Sequence, residues 1–189
     1  MINLTRYPYT QDKNGWAMDD THIDALYRLL LHVKPKVVVE VGCWYGRSTC
    51  AYVEAQRMGI SPTVHLVDIS FTDSLRKVVA NAPDHTRFIL HECSSNDFRI
   101  AADIVVIDAD HNSLPAARDF GWAVGWRTLW IVAHDVCAYP KMTDHQGAWE
   151  QGQELVINPH YKVSIDEGRP DDGKTWRGLL IAGPEEFEI

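Results

Sequence analysis

The 189 residues carry 46% hydrophobic side chains and a formal net charge of -8. That much apolar content supports one domain over 1–189 with a real core, and the acidic balance excludes nucleic acid as the expected partner, since a surface that tracks phosphates needs clustered Lys and Arg. No apolar stretch approaches the roughly 20 residues of a membrane span, so no membrane partner is expected. The four cysteines show no CxxC pairing and the chain opens without a secretion-type leader, so the expectation is a cytoplasmic protein.

In chain order, THIDALYRLLLHV (21–33) reads as a helix with Thr21 as its N-cap. The run KVVVEV (36–41) reads as a strand, RSTCAYVEAQRMG (47–59) as a helix stopped by Gly59, and TVHLVDI (63–69) as a strand. A helix capped by Thr72 (72–82), the strand RFILHE (87–92) and the strand DIVVID (103–108) follow. Next come the helix LPAARDFGWAVG (114–125), the strand TLWIVAHD (128–135) and a short helix near 147–156. YKVSID and WRGLLIAG close the chain as two strands joined by the turn-rich EGRPDDGKT. Continuous rather than alternating apolar runs suit strands covered on both faces, and strand-helix repetition predicts an α/β fold with right-handed crossovers. The seven tryptophans are expected mostly in the core, with Trp44 the exception.

In open α/β sheets ligands sit beyond the carboxyl ends of the strands, which directs attention to the first turn, EVGCWYGRST. Gly42 and Gly46 let backbone approach a ligand and Ser48 opens the following helix. Two glycines do not make the GxGxxG of a pyrophosphate site, and Glu40 beside them repels an anion and attracts an ammonium group. Asp68 ends the second strand, where an acid can accept from both hydroxyls of a ribose. A ribose with a cationic amine and no phosphate describes S-adenosylmethionine. Trp44 and Tyr45, inside the same turn, either cover the methionine end of that cofactor or line the substrate entrance.

On VVVEVGCWYGRST, VHLVDIS, VVIDADHN and IVAHDV, the chain resembles the class I S-adenosylmethionine-dependent methyltransferases. More narrowly, it resembles the metal-dependent O-methyltransferases related to the catechol, caffeoyl-coenzyme A, macrolide-sugar and cephalosporin-hydroxylase-like enzymes. The resemblance spans about residues 21 to 156. It implies a Rossmann-like, doubly wound and mostly parallel sheet with a C-terminal antiparallel hairpin strand. It implies that Glu40, Gly42, Gly46 and their turn, Ser48 included, hold the methionine end of the cofactor. Asp68 would hold the ribose, and Cys93 and Ser94 would flank the adenine. Asp108, which also borders the cofactor, His134 and Asp135 would bind a divalent cation, Mg²⁺ by the family pattern, with Mn²⁺ or another metal also open. A small hydroxylated acceptor would coordinate the same ion, and His111 would take its proton; relatives also often pair as homodimers. His134 departs from the family, which has Asp or Glu there, and imidazole favours Zn²⁺, Fe²⁺, Mn²⁺ or Ni²⁺ over Mg²⁺; it could instead hydrogen-bond the substrate.

Asp110 is expected to cap the helix beginning near Leu114. His145 and His160 are expected in solvated loops, and Trp149 near the active site. Three rival readings stay open: a nicotinamide-dependent oxidoreductase, a hydroxylase or hydrolase using the His and carboxylate groups for a metal, and a non-catalytic cofactor-binding module.

Overall fold

The computed structural model describes residues 2–10, 17–126, 128–137, 143–166 and 177–189, which fall into two compact units, Met1–Phe98 and Arg99–Ile189. The EGRPDDGKT turn, Trp16 and Trp176 lie outside the described residues.

The first unit runs α1 (Asp20–Val33), β1 (Val37–Val41), α2 (Thr49–Arg57), β2 (Thr63–Asp68), α3 (Asp73–Ala80) and β3 (Phe88–Glu92). Its strands lie in the order β3-β2-β1, all parallel, with Val37 opposite Thr63 and Val64 opposite Phe88. The valine-rich runs of β1 and β2 are buried along nearly their whole length. The β3 run is not: Phe88 is buried but Ile89 and Glu92 are exposed, because β3 has only one neighbour in its order. On α1, Ile23, Leu26, Leu29 and Leu30 recur at helical spacing and are fully buried. Its N-cap is Asp19 rather than Thr21, which lies inside the first turn. Thr72 does cap α3, its hydroxyl accepting from Leu75 N at 3.2 Å, and Gly59 follows α2 with the positive φ of a helix stop.

Every residue of α2 from Thr49 to Gln56 is buried. Glu54 is tolerated there because the Tyr7 hydroxyl donates to it at 2.7 Å, with Arg6 and Arg57 at 3.2 and 3.1 Å. Cys50 is fully buried, and burial pushes its thiol up to about 12.

The second unit runs β4 (Ile104–Ile107), α4 (Ser113–Gly125), β5 (Trp130–His134), α5 (Gln146–Ile157), β6 (Lys162–Asp166) and β7 (Leu179–Gly183). Its order is β4-β5-β7-β6. β4 and β5 are parallel, and β7 runs antiparallel to β5 and β6, the hairpin arrangement expected of the last two strands. Gly147 lets α5 approach the start of α4: a Cβ there would stand 2.5 Å from the Asn112 and Ser113 backbone. Across the same contact Ala148 N donates to the His111 carbonyl at 3.2 Å. Of the five described tryptophans only Trp122 and Trp130 are buried, whereas Trp44, Trp126 and Trp149 are exposed. Among the described residues no helix is long and apolar enough to cross a membrane.

Candidate active site

The first turn is built around two carboxylates. Glu40, inside β1, is fully buried, and the hydroxyls of Ser48 and Thr49 at the start of α2 both donate to it. Asp68, at the end of β2, reaches across so that its Oδ2 accepts from Cys43 N at 2.8 Å and Trp44 N at 3.1 Å. Among the described residues Oδ1 has only a long contact to Ser70 N at 3.4 Å. Gly42 and Gly46 take φ of 82° and 77°, which glycine adopts without strain. At Gly46 a Cβ would also stand 3.0 Å from Leu75 Cα.

Trp44 adopts φ 41° although it is a bulky residue, and it is 60% exposed, its ring edge-on to Tyr45 at 5.5 Å. Strain and exposure of a large aromatic together point to a role outside folding. Cys93 N donates to the Asp68 carbonyl at 2.9 Å, and Ser94 begins the next turn, its Oγ accepting from Asn96 N at 3.2 Å. Thus Glu40, Gly42, Trp44, Tyr45, Gly46, Ser48, Asp68 and Cys93 are joined through one turn and the strand ends beside it, with Ser94 one residue on.

In the second unit, Asp108 follows β4, His134 ends β5 and Asp135 follows it at φ 60°. His134 Nδ1 is 3.2 Å from Asp108 Oδ1 and 3.3 Å from Asp135 Oδ1. His111 Nε2 is 3.6 Å from both Asp108 Oδ1 and Asp135 Oδ2, and Arg177 Nε is 3.9 Å from Asp135 Oδ1.

Asp108, His111, His134 and Asp135 therefore come together within this unit, and among the described residues Arg177 and His145, neither of them predicted, join them. His145, expected in solvent, is buried in the turn leading into α5. Its Nε2 lies 3.4 Å from Asp135 Oδ2, and its ring stacks on His111 with centroids 4.4 Å apart. His160 is exposed as expected. Asp110 does not cap α4: Asn112 is the N-cap, and Asp110 Oδ1 accepts from Asn112 N and Nδ2 just before the helix.

The electrostatics follow from this crowding. Burial alone would raise Asp108 and Asp135, but the charge and hydrogen bonding of His134 hold Asp108 below the usual carboxylate range and Asp135 well below it. Burial alone would lower His134, yet the two carboxylates hold it well above 6.5. His145 is raised chiefly by its bond to Asp135. Among the described residues His111 Nε2 and Asp135 Oδ1 are buried without a hydrogen-bond partner. Unsatisfied buried polar atoms of this kind cost free energy unless a ligand completes them. The donor set of carboxylate oxygens and imidazole nitrogens suits a divalent cation.

A family model described as a methyltransferase domain matches residues 39–136, more than half of the chain. No curated protein sequence matches. The O-methyltransferase TomG of Streptomyces achromogenes, involved in tomaymycin synthesis and solved with SAM, is 16% identical at TM-score 0.69, over 95% of this chain and 87% of that one. An O-methyltransferase of Bacillus cereus solved with SAH is 17% identical at TM-score 0.69, over 94% and 84%. The SAH-bound methyltransferase PaMTH1 of Podospora anserina is 13% identical at TM-score 0.69, over 97% and 87%. These likenesses show the fold, the Rossmann-like and mostly parallel arrangement expected from sequence.

Proposed function

Because this chain belongs to the methyltransferase-domain family, we propose that it moves a methyl group from S-adenosylmethionine to a hydroxyl oxygen of a small molecule, with a divalent cation assisting. The observation that carries this reading is the convergence of Asp108, Asp135 and their histidines, with His111 Nε2 buried and without a hydrogen-bond partner among the described residues. The first turn supports the choice of donor, because Glu40 disfavours a phosphate there and Asp68 retains an oxygen for a ribose hydroxyl. The fold neighbours solved with SAM and SAH support it further.

Bound S-adenosylmethionine supplies a methyl group on a sulfonium, and a cation held by Asp108 and Asp135 supplies positive charge that makes an acceptor hydroxyl more acidic. In the transfer the acceptor oxygen forms the new bond to the methyl carbon while the carbon-sulfur bond breaks and its electron pair stays on sulfur. The hydroxyl proton must leave the oxygen. His111 Nε2 has one lone pair to offer, for that proton in a metal-free enzyme or for the cation in a loaded one, but not for both at once. Trp44, strained and exposed, would cover the donor, and Cys93 and Ser94 would flank its adenine.

A hydrolase or hydroxylase using the same metal cluster is the reading that the three converging histidines favour next. Calorimetric titration of the chelator-treated protein with S-adenosylmethionine and its demethylated product separates the two. Micromolar binding is expected, and a protein that binds neither compound, with or without Mg²⁺ or Mn²⁺, would not be a methyltransferase.

A further inference from the structure

The cluster beyond β4 and β5 holds more nitrogen than a hard-cation site uses. Two sets of donors share Asp135: Asp108 with His134, and His111 with His145. In the first set His134 Nδ1 already lies at hydrogen-bond distance from Asp108. In the second, the distances of 3.6 and 3.4 Å from Asp135 Oδ2 to the two Nε2 atoms exceed the usual span of such bonds. They match the spacing of ligands around one ion instead, since four ligands at about 2.1 Å from a tetrahedral centre stand roughly 3.4 Å apart.

Two further observations point the same way. His111 Nε2, one of the atoms facing Asp135 Oδ2, is buried without a hydrogen-bond partner among the described residues. Behind the ring of His145, Asp144 Oδ1 holds Nδ1 at 2.9 Å. A carboxylate on the far nitrogen of a histidine is the usual partner of a metal-ligating imidazole, because it fixes the tautomer that leaves Nε2 bare toward the ion.

We infer that His111, Asp135 and His145 form a site for one first-row transition-metal dication in the range from Mn²⁺ to Zn²⁺, with Asp144 orienting His145. Asp108 stays paired with His134 Nδ1 beside the site. Imidazole nitrogen makes the site prefer these ions to Mg²⁺, which seeks oxygen and keeps its waters. His145 lies beyond the stretch that the methyltransferase-domain family matches, so this ligand belongs to the chain's own α5 approach. The inference rests on the methyl-transfer reading only for what the ion does there; the binding itself is independent of it. It also decides between the two uses of His111 Nε2, in favour of the ion.

The test uses the full chain, stripped with chelator and titrated calorimetrically with Zn²⁺ and with Mg²⁺, and with Co²⁺ followed by visible absorption. One Zn²⁺ per chain is expected, bound at least about 100-fold more tightly than Mg²⁺. His145→Gln should weaken Zn²⁺ by more than about tenfold and Asp144→Asn by roughly tenfold, while His160→Gln, on an exposed residue, leaves it unchanged. Equal affinity for Mg²⁺ and Zn²⁺ overturns the inference. So does a folded His145→Gln protein that binds Zn²⁺ like the parent. Should that variant not fold, Co²⁺ in the parent still decides, since intense bands of a four-coordinate nitrogen and oxygen site are expected and the weak bands of a six-coordinate oxygen site refute it. Titrating the same sample with S-adenosylmethionine keeps the two readings apart. Metal without cofactor binding overturns the methyl-transfer reading alone, and cofactor without metal selectivity overturns this inference alone.

Discussion

Asp68 in the first unit and Asp135 in the second both stand where a parallel strand gives out, yet they end in opposite states. One oxygen of Asp68 accepts from the Cys43 and Trp44 N–H groups, so this acid shapes the turn that it serves. Asp135 sits at φ 60° with Oδ1 buried beside His134 Nδ1 and Oδ2 facing two imidazoles. An acid that organises backbone costs the fold nothing in the absence of ligand. An acid held open among histidines carries a desolvation cost that a bound ion offsets. On the proposed reading, the first unit would hold the methyl donor and the second the charge.

The largest expected effect breaks this division at the second unit. His111→Ala should lower kcat by about 10²-fold or more, through loss of a ligand to the ion, with S-adenosylmethionine affinity nearly unchanged; an equal loss of cofactor binding in calorimetry would dissolve the division of labour. Asp68→Asn should do the reverse, weakening the cofactor by about 2 kcal/mol, roughly thirtyfold in Kd, while Zn²⁺ binding stays intact.

Two glycines test the same contrast through the backbone. Gly147→Ala should destabilise the protein by about 1 to 3 kcal/mol and weaken Zn²⁺, because α5 must withdraw from Asn112 and Ser113 and carry His145 with it. Gly46→Ala, at φ 77° and against Leu75, should cost stability of similar size but weaken the cofactor instead. Urea unfolding with parallel titrations separates the two.

The smallest effect is one of pH, and its sign differs between the units. His65 Nδ1 and His91 Nε2 are 2.9 Å apart, and burial holds both histidines below 6.5. Their unfolded forms bind protons more readily, so the stability they contribute is complete above about pH 6.5 and is lost as pH falls through the folded values. His134 is raised despite its burial, by Asp135 and Asp108. Its contribution is complete below about pH 6.5 and is lost as pH rises through its folded value. In urea titrations from pH 5 to 9, His91→Gln should flatten the acid side and His134→Gln the alkaline side.

Much of this was legible in the sequence, because the signals were local. The valine runs marked the strands, Thr72 its helix, and the acids at strand ends the places where the structure gathers carboxylates. What escaped depended on contacts the chain makes with itself at a distance. In the sequence His145 is indistinguishable from a solvated histidine, and only the close approach of α5 to α4 that Gly147 allows buries it. Asp110 gave up the cap to Asn112 because it spends its oxygen on the turn just before the helix. The exposed tryptophans and the outer face of β3 show that apolar composition does not say which residues a neighbour will cover.

The fully buried thiol of Cys50 offers a clock of a different kind. Alkylation needs the thiolate, and a buried thiol pushed up to about 12 supplies almost none at neutral pH. Cys50 therefore reacts only when α2 opens, and its labelling rate measures how often the donor half breathes. Cys93, partly exposed in the stretch proposed to flank adenine, is labelled without any opening. One alkylating reagent followed at both positions would distinguish a ligand that merely shields the site from one that slows the motion of the fold beneath it.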